Sequence, residues 1–353
     1  MSEDESQKKD ALRDEANSQI EQLDSVLSDS DQFSSDAAYL DRLSISLPTQ
    51  IKDFRNKGYF YRAHLDDRLS QFLNGWIKYR QTFLNQINVA QLSIKNQASP
   101  LRQEGQSLMQ AVDYEDTQTV EQRIESFRDK VDSFTSTARN SLSGLESSVG
   151  RLKAEGGELE KQIQKIGYAM NELSLASFQL RPGEGVVDAH DATYMTPQKE
   201  KWHGTLFFTG ERMIFERRED VALKKVLFIA TQKKTIKEVE LDLPIGYVQN
   251  VSKGRVSLLA WGGIFIDFKE PCQVRQAVFD VKDSEIDEII STFNYIMSGE
   301  AERDKLATTG TPVEQRIPKV VTCQSCGAPI MQEIVLGERS VTCTYCGTVI
   351  QVS

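Results

Sequence analysis

The sequence predicts a multidomain α + β protein. A long antiparallel helical hairpin should come first, a small antiparallel β-barrel with a C-terminal helix second, and a cysteine-held module last. Three observations carry that expectation. At 353 residues the chain exceeds the size that one hydrophobic core usually organises. Residues 48–180 keep a 3-4 apolar spacing, and beyond them the pattern changes to short apolar runs punctuated by Gly and Pro. Four of the 5 Cys fall in one tight cluster near the end of the chain.

Residues 1–47 read as an acidic tail with one short helix, whose apolar face is Ala16, Ile20, Leu23 and Leu27. The hairpin then occupies 48–180. Its first arm runs from Phe54 through Leu65, Trp76 and Ile87 to Val112, and its second from Val120 through Phe134, Leu142 and Leu152 to Leu173. Residues 113–117 interrupt the spacing, and Asp116 or Thr117 can cap the second arm. So short a turn makes the arms antiparallel, with Ile87 near Leu142, Trp76 near Leu152 and Leu65 near Ile163. Arms of this length make a rod, a natural surface for protein partners and compatible with a homodimer. Pro100 should kink the first arm, and Gly144, Gly150, Gly156 and Gly157 should loosen the second.

Pro182-Gly183 ends the helical pattern and opens a β-rich module over 181–298. Strand-like runs lie at 186–190, 205–208, 212–216, 226–230, 236–241, 256–261, 264–268 and 274–281. Two pairs sit at hairpin distance, joined by Thr209-Gly210-Glu211 and by Gly262-Gly263. An amphipathic helix follows, with Ile286, Ile289, Ile290, Phe293 and Ile296 on one face. Antiparallel strands closed by one helix are the order of a pleckstrin-homology-like barrel. The stretch from Gly204 to Phe215, with Leu206, Thr209, Arg212 and the Ile214-Phe215 pair, resembles the opening hairpin of GRAM domains, and 241–251 is similar to their middle strand and turn. That resemblance implies docking on membrane lipid or protein rather than catalysis.

Residues 299–318 are polar, with Gly310, Pro312 and Pro318, and read as a flexible linker. The last module, 319–353, holds Cys323-Gln324-Ser325-Cys326 and Cys343-Thr344-Tyr345-Cys346, two knuckles sixteen residues apart. Cys323, Cys326, Cys343 and Cys346 can surround one Zn²⁺ and leave no coordination position open, so the expected ion is structural. Gly327 and Gly347 let the backbone turn beneath the sulfurs. The arrangement resembles a zinc ribbon, which implies protein docking or, as the alternative, a transcription or translation factor acting through the ribbon.

Charge weighs against that alternative. The net charge is -10, and residues 1–41 hold 12 acidic against 3 basic side chains, so the remainder is nearly neutral. No basic footprint suits a general nucleic-acid binder, and Arg339 is the one basic residue after Cys323. The longest apolar run, Val226-Leu227-Phe228-Ile229-Ala230, is far short of the roughly 20 residues that span a bilayer. The acidic start shows no secretory signal, so a cytoplasmic protein is expected, peripheral on a membrane at most. Lys224, Lys225, Lys233, Lys234 and Lys237 surround that run and suit anionic headgroups; the competing reading is a solvated rim offset by Glu219, Asp220, Glu238 and Glu240. His64, His190, His203 and Cys272 lie in no motif, with the three His expected at the surface. No Walker loop, Gly-x-Ser-x-Gly elbow or His-Glu-x-x-His occurs. The expectation is a non-enzymatic adaptor or scaffold.

Overall fold

The computed structural model describes residues 3–226, 229–256, 262–306, 321–332 and 334–352; the side chains of 3–4, 221–235 and 321 lie outside that description. The chain forms two compact units, one of residues 1–49 with 67–160 and one of residues 50–66 with 161–353.

Three long helices supply the first unit: α1 (Glu3–Asn56), α2 (His64–Tyr114) and α3 (Thr117–Ser174). Asp116 caps α3, accepting the Thr119 N–H at 2.9 Å. The expected antiparallel register of the hairpin is present, since Lys130 meets Glu104 at 2.7 Å and a Cβ on Gly75 would sit 3.2 Å from Leu152 Cδ2. α2 continues through Pro100.

The first 47 residues depart from the sequence reading. They form no solvated tail with a short helix but most of α1, which buries Leu12, Ala16, Leu23, Phe33, Leu40, Leu43 and Leu47 along one stripe. The acidic residues that suggested a tail face basic partners on the other helices. Arg102 reaches Asp24 at 2.9 Å, Arg80 grips Asp41 at 2.6 and 2.8 Å, Arg128 reaches Glu15 at 3.2 Å and Lys153 reaches Asp36 at 2.7 Å. α1 thus runs antiparallel to α2 and parallel to α3, and the hairpin becomes a three-helix bundle. The helices come closest at glycines: a Cβ on Gly105 would meet Ile20 and Phe127 at 2.8 Å, and one on Gly156 would meet Leu43 at 2.8 Å and Phe72 at 2.9 Å.

The second unit holds a seven-stranded antiparallel sheet. Its strands are β1 (Val186–Met195), β2 (Lys201–Thr209), β3 (Arg212–Val226), β4 (Ile229–Pro244), β5 (Val248–Gly254), β6 (Gly263–Phe268) and β7 (Gln276–Asp280), in spatial order β4-β3-β2-β1-β7-β6-β5. A 3-10 turn, Ile245–Tyr247, separates β4 from β5, and α4 (Asp283–Met297) follows β7 with Ile286, Ile289, Phe293 and Ile296 buried. This is the pleckstrin-homology-like order expected from the sequence. Leu206, Phe207 and Phe208 are all buried, so β2 is covered on both faces. Phe207 packs edge-on against Phe178 at 5.1 Å, and Tyr194, Phe215 and Phe279 form a separate aromatic cluster with centroids 5.2 to 5.7 Å apart.

Two strand expectations change. Residues 227–228 and 257–261, which carried the expected strands at 226–230 and 256–261, lie outside the described residues. The hairpin partner of β6 is β5, with Gly254 opposite Gly263. Gly262-Gly263 is therefore no two-residue turn; Gly263 opens β6, and a Cβ there would lie 2.5 Å from the Phe279 carbonyl oxygen.

The start of the expected linker is structured as well. α5 (Glu300–Arg303) leads to Asp304, whose carbonyl accepts the Ala63 N–H at 2.9 Å and whose carboxylate accepts the His64 N–H at 2.9 Å, while the Leu306 N–H bonds to the Phe60 carbonyl. These bonds hold 300–306 in place, and the rest of the linker, 307–318, with residues 319–320 of the last module, lies outside the described residues. Beyond it come two short hairpins, β8 (Val321–Thr322) with β9 (Pro329–Ile330) and β10 (Ser340–Thr342) with β11 (Val349–Gln351).

Candidate metal centre

Each short hairpin carries one Cys-x-x-Cys, and the two are built alike. In the first knuckle the Gly327 N–H donates to the Cys323 carbonyl at 2.8 Å and the Cys323 N–H to the Ala328 carbonyl at 2.8 Å. In the second the Gly347 N–H donates to the Cys343 carbonyl and the Cys343 N–H to the Thr348 carbonyl, both at 2.9 Å. Gly327 and Gly347 adopt φ of +72° and +75°, the left-handed conformation that closes such a turn and that a side chain would strain.

The four sulfurs converge. All lie within 4.8 Å of one another, with Cys323 Sγ 3.5 Å from Cys346 Sγ and Cys326 Sγ 3.7 Å from Cys343 Sγ. A tetrahedral ion with sulfur ligands at ~2.3 Å needs sulfur separations of about 3.8 Å, so the set is pre-shaped for one metal ion. Cys323 and Cys343 are buried with Val341 and Ile350, and Ala328, Ile330, Ile334 and Val352 pack around them. Cys326 and Cys346 face outward. The Thr348 hydroxyl, 3.2 Å from Cys346 Sγ, together with the Thr348 backbone N–H, lowers that thiol, while against the Ala328 backbone N–H the neighbouring cysteines push Cys326 up.

The ribbon does not hang on a free tether. The segment between its knuckles meets the sheet module at the β2–β3 turn and the 3-10 turn. The Gly246 N–H donates to the Leu336 carbonyl at 3.0 Å, Arg181 donates to the Gly337 carbonyl at 2.9 Å, and Arg339 grips the Glu211 carboxylate at 3.0 and 2.7 Å. Sequence reasoning missed this contact, because nothing in a turn sequence marks Glu211 as the partner of an Arg 128 positions later.

The structure also explains the residues behind the GRAM resemblance. The Thr209 hydroxyl accepts the Glu211 and Arg212 N–H groups at 3.1 and 2.7 Å and donates to Glu184 at 2.5 Å. Arg212, buried, closes a two-bond pair with Glu184 at 2.8 and 2.6 Å and reaches Asp242 at 2.6 Å. A Cβ on Gly204 would lie 2.0 Å from the Glu216 carbonyl oxygen. These residues shape a hairpin.

His190 is not at the surface. It is 4% exposed on β1, with Nδ1 3.2 Å from Glu285 and Nε2 3.6 Å from Asp188. Burial alone would favour the neutral ring, but the nearby Asp188 and Glu285 carboxylates outweigh it and push the imidazole up to about 9. Asp188 also accepts from Thr292 at 2.8 Å and Arg62 at 3.4 Å. A cleft of about 580 Å³ nearby is lined by the pairs Arg218 with Glu172 and Lys282 with Asp191, together with Asp280.

Of the five lysines, Lys224, Lys225, Lys233 and Lys234 have side chains outside the described residues, and Lys237 donates to the Leu175 carbonyl. No described helix is long and apolar enough to cross a membrane.

No protein-family model matches the chain, and no curated protein does. Among solved structures, the DH/PH domains of p115-RhoGEF align over 79% of this chain and 94% of theirs, at 12% identity and a TM-score of 0.23. The complex of human RhoA with the DH/PH fragment of PDZRHOGEF aligns over 80% and 95%, at 10% identity and 0.31. The C-terminal domain of an unknown protein from Leishmania infantum aligns over 33% and 85%, at 13% identity and 0.21. Scores this low establish neither a shared fold nor a shared function.

Proposed function

We propose that this chain is a non-enzymatic adaptor whose ribbon binds a single structural Zn²⁺ and whose pleckstrin-homology-like sheet module, of GRAM type, docks a protein partner. One observation carries the reading: four convergent sulfurs on two matching knuckles, two of them buried in the ribbon's own core. Four protein ligands leave no place for water or substrate, and a segment this short needs a staple to fold. An S₄ tetrahedron suits Zn²⁺ or iron, and the absorption spectrum separates them. The nucleic-acid alternative loses support because Arg339, the one basic residue after Cys323, is engaged by Glu211.

Metal analysis of protein purified without chelator should give one zinc per chain and no charge-transfer absorption. A value near zero, or an unchanged value in Cys326→Ser, would sink the zinc reading. Docking is tested on the same protein. Vesicles rich in phosphatidylserine should not pellet it; salt-sensitive pelleting, lost when Lys224, Lys225, Lys233 and Lys234 are replaced by Glu, would put a membrane in place of the protein partner.

A further inference from the structure

We propose that Arg181, Glu211, Gly246 and Tyr247 form a peptide-recognition site on the sheet module, that its ligand is a Leu-Gly-Glu-Arg turn, and that residues 336–339 of the same chain fill it as an internal competitor. This narrows the protein-docking reading to one surface and one class of ligand.

Each ligand position meets its own contact. The Leu336 carbonyl accepts from the Gly246 N–H and the Gly337 carbonyl from Arg181 Nη1. Tyr247 Oη donates to Glu338 Oε1 at 2.5 Å, and Arg339 donates twice to Glu211 and once to the Pro182 carbonyl at 3.1 Å. Glycine is demanded at 337 for two reasons. Its φ is +85°, and a Cβ there would lie 1.8 Å from the Glu211 carbonyl oxygen. Gly246 is its counterpart on the site, where a Cβ would fall 2.4 Å from the Leu336 nitrogen. Two backbones therefore touch directly, and any side chain at either point forbids the fit.

The site is held by bonds that owe nothing to its occupant. The Glu211 N–H is fixed by Thr209, the Glu211 carbonyl accepts the Ile245 N–H at 2.8 Å, and the Arg181 N–H donates to Glu184 at 2.8 Å. The ribbon likewise has its own core around Cys323, Val341, Cys343 and Ile350. Two bodies with their own cores, joined by polar bonds and by Val335 against Gly246, can part without either unfolding, which leaves a preorganised surface for a turn of the same sequence on another protein. A tethered occupant acts at about millimolar effective concentration, so a partner must exceed that or find the arm disabled.

Hydrogen exchange at the Gly246 amide of the full chain tests this. Exchange should be slow in the wild type and at least tenfold faster in Arg339→Glu, with the Ile245 amide still protected. A synthetic peptide of residues 332–342, at millimolar concentration, should slow Gly246 again in that variant, and the same peptide carrying Gly337→Ala should not. Should Arg339→Glu also release Ile245, full-length Gly337→Ala, which changes no charge, is read in the same way. Unaltered Gly246 exchange in the variants, or no response to the peptide, overturns the proposal. Neither outcome touches the vesicle or metal measurements, so the broader reading stands or falls separately.

Discussion

Trp76 and Asp41 are locked together across α1 and α2: the indole Nε1–H of the buried Trp76 donates to Asp41 Oδ1 at 2.9 Å. Arg80 closes on the same carboxylate, and its hydrogen bond is the main reason the Asp41 carboxyl titrates below its usual range. Asp41→Ala leaves a buried indole N–H without an acceptor and should cost about 1–3 kcal/mol. Asp41→Asn keeps an acceptor and should cost less. Urea denaturation of both variants checks the order, and equal stability would show that the contact is idle.

Two glycines of α3 should respond oppositely to alanine. A Cβ at 144 meets open space, so Gly144→Ala should gain about 0.5–1 kcal/mol from helix propensity. At 156 it strikes Leu43 and Phe72, so Gly156→Ala should lose roughly 1–3 kcal/mol through overpacking. Thermal melts decide, and the same sign at both sites would contradict the packing.

Removing the metal should act locally. Chelation should bring amides of 321–352 into rapid exchange, because the ribbon core is built on Cys323 and Cys343, while the far-ultraviolet signal of the three long helices stays put. Loss of the helical signal in parallel would mean that the centre supports the whole chain.

Stability should fall on the alkaline side through His190. Its folded value, about 9, lies above the ordinary 6.5, so its contribution is fully present below about 6.5 and is lost as the pH rises through 9. The amount is on the order of 3 kcal/mol. The urea midpoint of the wild type should drop between pH 7 and 10, with a flatter profile in His190→Gln. Parallel profiles would rule the network out as the cause.

Periodicity and spacing carry the parts of this molecule that repeat locally. The 3-4 apolar pattern locates α2 and α3, Thr209-Gly210-Glu211 locates a hairpin, and the two Cys-x-x-Cys pairs locate the sulfur cluster. What composition suggests, tertiary context overrides. Asp24, Asp36 and Asp41 look like a solvated tail until Arg102, Lys153 and Arg80 neutralise them from other helices. His190 looks peripheral until Asp188, Glu285, Arg62 and Thr292 surround it. Apart from Asp188, two positions from His190 on the same strand, those partners lie 39 or more positions away on other segments, and a single sequence holds no record of such pairings.

The parallel pairing of α1 with α3 has a consequence for biosynthesis. Glu15 meets Arg128 across 113 positions, so when α1 leaves the ribosome its partner has not been made. At roughly 5–20 residues per second the interval is about 6–20 s, long against helix formation in microseconds. Throughout it α2 alone is available to pack on the stripe of Leu12, Leu23, Leu40 and Leu47, and the side that α3 covers stays open. A truncation ending near residue 115 should therefore aggregate where one ending past 160 does not.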